Sequence, residues 1–509
     1  MAIKRYIANS DNTITNAFEP NLTTRGTGSN MGKSDILETF SIFAQASSAS
    51  VENQRLLVQF PISNISDDRT NNVIPASGSV NFYLKMSNAA HGQQTPSDFE
   101  LIVSAVSKSW QEGDGLDLDD YSDLTYDGIG SNWVNANYTN GTVTTWTTEG
   151  GDYFTDASSS FTASFVLGTE DMEVDITELV EQWINSSGNV LGSKTNYGVG
   201  IRLNDAYEGS SSLNPDGATK SYFTKKFFSR HSEFYFKRPH IEARWNSVRQ
   251  DDRGSFYFSS SLAPSYDNLN TIYLYNYVRG TLRNIPGVDT GFIYVQIHSG
   301  TWDNQGPSGQ PLTLVGDGTH VQAANPTFIT GGYVETGIYS ASFALTGTSD
   351  LTNIFDVWQS GDTQYFSGAI DTNVQASKGY TTGIRYVLSM PNLQKQYYSQ
   401  ETAKLRLFVR QKNWSPNIYN VANNAVPAHL IPSASYRVLR VVDNLEVISY
   451  GTGSLVHTGL SYDVSGNYFH LDMGLFEPGY LYKLQYSFKD ENTSTYYEQP
   501  YSFKFRVIE

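Results

Sequence analysis

Apolar and polar residues alternate with period two in short runs, separated by Gly, Asn, Asp and Ser, along most of this chain. In SVNFYLKM, Val80, Phe82, Leu84 and Met86 fall on one side while Asn81, Tyr83 and Lys85 fall on the other. KLRLFVR repeats the pattern with Leu405, Leu407 and Val409, YKLQYSF with Tyr482, Leu484, Tyr486 and Phe488, and SFKFRV follows suit at the end of the sequence. Successive side chains of a strand point to opposite faces, so each run predicts a strand with one buried face. Helical spacing is scarce. DITELVEQWI sets Ile176, Leu179, Val180 and Trp183 at i, i+3, i+4 and i+7, with Asp175 placed to cap the first turn and Glu178 three residues later. The expected fold class is therefore all-β, with one short helix near 175–185.

The chain has 509 residues, too many for one ordinary domain. A strand pattern ends at Trp245 and the polar SVRQDDRGS follows; apolar density falls again in DTNVQASKG, ahead of Tyr380. These breaks predict three β-sandwich domains in series, at 31–247, 253–372 and 373–509. Residues 1–30 read as an extended arm of the kind that gains order by packing on a neighbour. There is no cysteine, which removes disulfides, thiolate chemistry and Cys-based zinc sites together. The opening MAIKRYIANSDNTITNAFEP lacks the apolar stretch of a secretory signal, and no run approaches the roughly 20 apolar residues of a membrane span. No membrane partner is expected.

A formal charge of −17 opposes nucleic-acid binding, which depends on Lys and Arg neutralising phosphates. A basic run at Lys225, Lys226, Arg230, Lys237 and Arg238 is interleaved with aromatics, but its spacing fits alternating strands. GTGSNMGKS, at 26–34, looks like a phosphate-binding loop, yet the required first glycine would fall on Thr27. The eight histidines are scattered without metal-ligand spacing, and no G-x-S-x-G elbow occurs. Nothing asks for an enzyme. The stretch QEGDGLDLDDYSD, at 111–123, carries six acids and no base. Its glycines and acids do not fit the EF-hand pattern, which leaves a looser Ca²⁺ site built from Asp114, Asp117, Asp119 and Asp120, or a solvated loop. No other cofactor is expected.

Several segments are familiar in order. RLLVQFPIS, SVNFYLKM, VSKSWQEGD, SNWVNA, GGDYF, DMEVDITELVEQWI, NYGVGIRL and FFSRHSEFYFKRPHIEARW together resemble the DNRLRE family of bacterial cell-surface β-sandwiches and carbohydrate-binding modules. That resemblance implies a jelly-roll-like first domain whose acidic run is a variable loop at one end of the sandwich. Trp110, Trp133 and Trp183 are then core residues or, under a glycan-binding role, sugar platforms. The second half is similar to the C-terminal region of virion structural proteins from large contractile-tailed phages of the marine cyanophage type. YGTGS, LSYD and GNYFHLDM carry most of that similarity, and IKRYIANSDNTITNAF resembles the start of the same proteins. The two later domains are expected to be immunoglobulin-like. The implied role is a non-enzymatic virion component of neck, tail or head surface. Its partners would be other phage structural proteins and copies of itself in a cyclic oligomer, or, as an alternative, a host-surface glycan.

Overall fold

The structure is a computed structural model and describes residues 2–43, 50–91, 96–116, 129–139, 142–212, 214–300, 306–347, 351, 353–373, 385–412, 414, 428–451, 456–490 and 493–509. It is all-β apart from two α-helices and short 3₁₀ turns. The chain divides into two compact units, one made of Ala2–Asn246 with Gly453–His457, the other of Ser247–Thr452 with Thr458–Glu509.

The first unit is a sandwich of a four-stranded and a seven-stranded sheet. The alternation read from SVNFYLKM is realised in strand Asn81–Met86, where Phe82, Leu84 and Met86 are buried. They pack with Leu56, Val58, Leu101, Val103, Val199 and Ile201 of the facing sheet into one core. A second layer covers the outer face of the larger sheet. Leu57, which points away from Leu56 and Val58, packs there with Ile14, Val106, Trp133 and Trp146, and Trp110 lies against the cluster.

Residues 3–15 are not an arm. Ile3–Ile7 pairs antiparallel with His240–Arg244, from Ile3 opposite Arg244 to Ile7 opposite His240. Ser10–Thr15 pairs with Val51–Gln59. Both strands belong to the sandwich because their apolar residues Ile3, Tyr6 and Ile14 have a core to enter within the chain itself.

Among the described residues two α-helices are present where one was expected. The helix α2 (Thr177–Ile184) buries Leu179, Val180, Trp183 and Ile184. Asp175 acts just ahead of it, accepting from the Thr177 amide (2.9 Å) and hydroxyl (2.6 Å). The other helix, α1 (Ile62–Thr70), buries Ile62, Ile65 and Arg69. Arg69 reaches Glu181 of α2 with both terminal nitrogens, at 3.2 and 2.7 Å, and so fastens the two helices to each other.

In the second unit, strands between Phe256 and Asn373 form one eight-stranded sheet. Side chains from nearly every strand, among them Phe256, Ile272, Val295, Ile329, Phe343, Ile354 and Trp358, meet in one core, so the sheet curls around itself. Its two edges are stitched by Asn270, whose side-chain amide donates to the Tyr257 carbonyl (2.9 Å) and whose oxygen accepts from the Tyr257 amide (3.0 Å). The segment entering this sheet covers the edge strand Asn270–Tyr275. Asp252 accepts from the Thr271 amide (2.8 Å), and Arg253 donates to the Tyr273 carbonyl (3.3 Å) while pairing with the fully buried Asp356 at 2.6 and 2.7 Å.

The rest of the unit has a four-stranded and a six-stranded sheet. Tyr436 of one stacks on Phe469 of the other with ring centroids 4.3 Å apart. The expected alternation holds in Thr402–Gln411, Leu481–Lys489 and Phe503–Ile508, where Leu405, Leu407, Val409, Tyr482, Leu484, Tyr486, Phe488, Phe505 and Val507 are all buried. Asp252 also accepts from the Tyr462 hydroxyl (2.7 Å), which joins the entry segment to this part.

In three places an early strand lies beside a late one. Ile3–Ile7 lies against His240–Arg244, Phe256–Tyr257 runs parallel with the end of Thr363–Asn373, and Gln396–Tyr398 runs parallel with Phe503–Ile508.

Candidate functional site

The acidic run enters the structure through its first six residues, and glycine decides how it is seated. A β-carbon on Gly32 would lie 2.2 Å from the Gly113 carbonyl oxygen, and one on Gly130 would lie 2.3 Å from the Gly113 α-carbon. Three backbones therefore stack directly on one another. Asn30 laces them, accepting from the Gly115 amide (2.9 Å) and donating to the Ile129 carbonyl (3.1 Å), while the Lys33 amide donates to the Gly115 carbonyl (2.9 Å). GTGSNMGKS is thus a packing surface for the acidic loop.

Of the four acids expected to hold Ca²⁺, Asp114 is exposed and accepts from the Ile129 amide (3.2 Å). Asp117, Asp119 and Asp120 lie outside the described residues. The stem of the loop does not sit at a free tip. It runs beside strand Ser10–Thr15, where Asn12 donates to the Ser131 carbonyl (3.0 Å) and hydroxyl (2.8 Å), and the Asp11 amide donates to Glu112 Oε1 (2.9 Å).

At this junction the fold assembles a group that no sequence spacing announces. One potential ligand atom from each of Asp11, Glu112 and His231 lies within 4.8 Å of the other two. Asp11 comes from the polar strand SDNTIT, Glu112 from the stem of the acidic loop, and His231 from the turn after strand Tyr222–Phe228. Arg230 organises them. Its amide donates to Asp11 Oδ2 (2.6 Å), and its guanidinium grips Glu112 in a fork, Nε to Oε1 at 2.7 Å and Nη2 to Oε2 at 2.6 Å. The His231 ring places Nε2 3.9 Å from Glu112 Oε1.

Asp11 is 0% exposed, and its Oδ1 has no hydrogen-bond partner; His231 Nε2 has none either. A buried oxygen left unpaired is costly, so the arrangement is unusual for a site that only holds strands together. Burial is the main cause that pushes the Asp11 carboxyl up to about 7; the neighbouring Glu112 charge adds to it, and the Arg230 hydrogen bond opposes it. Burial, then the Arg230 charge, lowers His231. Chemically the group offers two carboxyl groups and one imidazole around a partly desolvated point.

The other expected features are spent on the fold. Lys225 is 1% exposed and donates to Asn88 Oδ1 (2.8 Å) and the carbonyls of Gly168 (2.8 Å) and Glu170 (2.7 Å). Lys226 pairs with Glu38 at 3.4 Å, and Arg238 donates to the Ser232 carbonyl (2.8 Å). Trp133 and Trp183 are buried, and half-buried Trp110 donates to the Tyr197 carbonyl (2.7 Å). Arg55 lies over the Trp133 ring and forks onto Glu208 at 3.1 and 3.0 Å.

No protein family and no curated protein matches this chain. Among solved structures it is similar to the crystal structure of DIP-gamma IG1+IG2, at 11% identity over 48% of this chain and 90% of that one, with a TM-score of 0.11. A score that low carries no argument about function.

Proposed function

We propose that this chain is a non-enzymatic structural component of a contractile-tailed phage particle, docking on other particle proteins and on copies of itself. The observation that carries the reading is how the charged side chains are used. Arg69 with Glu181, Arg55 with Glu208, Arg230 with Glu112, Arg253 with Asp356 and Arg244 with Glu173 each tie together segments distant in sequence. Forked arginine–carboxylate pairs fix orientation as well as distance, which suits a rigid part that passes load to its neighbours. The resemblance of both ends of the chain to virion proteins points the same way. A glycan-binding module is the weaker reading, because Trp133 and Trp183 are in the core.

Mass spectrometry of purified particles, followed by a reconstruction that traces the chain in a ring or fibre, tests the proposal. Absence of the chain from washed particles would remove it. Presence as a symmetric ring of copies would support the cyclic oligomer as well.

A further inference from the structure

We infer that Asp11, Glu112 and His231 bind one divalent transition-metal ion of the zinc class, which pins strand Ser10–Thr15, the stem of the acidic loop and the turn at 229–232 to one another. The donor set selects the ion. An imidazole nitrogen with two carboxylates suits zinc, cobalt or nickel, whereas Ca²⁺ and Mg²⁺ call for six or more oxygens or retained waters.

Asp11 Oδ1 and His231 Nε2 are unpartnered. Of the Glu112 oxygens, Oε1, which lies 3.9 Å from His231 Nε2, already accepts from the Asp11 amide and Arg230 Nε, so a lone pair for an ion remains on Oε2, which accepts from Arg230 alone. The Arg230 fork and the Arg230 amide hydrogen-bond the two carboxylates, as metal-ligating carboxylates ordinarily are. Ligand atoms around a tetrahedral zinc ion stand roughly 3.4 Å apart. The three here, within 4.8 Å, close onto an ion by a small inward swing of His231, whose side chain is 27% exposed. Three protein ligands leave the fourth position to water.

The test uses the full chain, stripped with a chelator and titrated with Zn²⁺ by calorimetry and with Co²⁺ by visible absorption. One ion per chain is expected, with a tetrahedral Co²⁺ spectrum, a rise in the unfolding temperature on adding Zn²⁺, and no displacement by millimolar Ca²⁺. Removing an outer partner of a metal site costs about 10–100-fold in affinity, so Arg230→Lys should weaken binding by about tenfold. Loss of a ligand costs at least as much, and His231→Gln should weaken it by roughly 100-fold. His231→Gln changes a partly exposed side chain, so its fold is checked by circular dichroism before titration; Asp11→Asn serves as the second ligand variant. Absence of Co²⁺ or Zn²⁺ binding by the unmodified chain overturns the inference. So does equal binding by the unmodified chain and a folded His231→Gln or Asp11→Asn variant, which would place the ion elsewhere.

Discussion

Replacing Glu181 with Ala removes the carboxylate that neutralises Arg69 and leaves the guanidinium buried between the two helices. The side chains are 8% and 2% exposed, and the pair is forked, at 2.7 and 3.2 Å. Arg69 keeps only Ser186 Oγ at 3.0 Å, since its Nε already has no partner. Breaking a buried pair from one side costs about 3–5 kcal/mol, most of it the stranded charge. Removing both partners is much gentler, because the desolvation of both ions disappears with their attraction. Arg69→Met with Glu181→Leu should therefore recover most of the loss. Because the chain has two compact units, a single global transition is a poor gauge, and hydrogen exchange at the amides of α1 and α2 through a urea series is the suitable measurement. Glu181→Ala within 1 kcal/mol of the unmodified protein would refute the reasoning, and so would a double variant no better than the single one.

Deleting residues 2–15 removes two strands and the buried Ile3, Tyr6 and Ile14, and at about 1.5–3 kcal/mol for each side chain the first unit should lose more than about 5 kcal/mol. Exchange protection at 240–244, the partner strand, reads this directly, and unchanged protection would show the strands to be dispensable. Gly32→Ala would press a methyl against the Gly113 backbone and should cost roughly 3 kcal/mol, the upper end for overpacking, visible as a lower melting temperature and faster exchange at 111–116. Gly466 opens the return strand of a hairpin at φ 112°, a conformation hostile to a branched side chain, so Gly466→Val should destabilise that hairpin by about 1–3 kcal/mol in chemical denaturation. His240 is held down to about 4, first by burial and then by Arg5. The unfolded chain then binds the extra proton between about pH 6.5 and 4, so stability is lost as pH falls through that window, by up to about 3 kcal/mol. His240→Gln should flatten that part of the stability–pH curve.

Strands with a clean alternation are legible in the sequence, because burial on one face is written directly into Asn81–Met86 or Leu481–Lys489. The same holds for α2, whose apolar stripe is complete. By contrast α1 was hidden: its buried stripe continues from Ile62 and Ile65 to Arg69, a charge that reads as surface until Glu181 is placed against it. Ser10–Thr15 was hidden for a related reason. Asp11, Asn12, Thr13 and Thr15 are all buried, and polar residues inside a strand carry no periodic signal. Asp11, Glu112 and His231 could not be joined from sequence at all, since they are brought together by strand pairing across most of the first unit.

The early-to-late strand closures bear on how the chain is made. A ribosome delivers Ile3–Ile7 long before His240–Arg244, Phe256–Tyr257 long before the end of Thr363–Asn373, and Gln396–Tyr398 long before Phe503–Ile508. Each of these early strands must therefore wait for its ladder partner until the late strand emerges, and non-local closure of this kind is slow. A stall just before any of the late strands would leave a nascent chain with an open sheet edge, the form most prone to pair with a neighbouring copy.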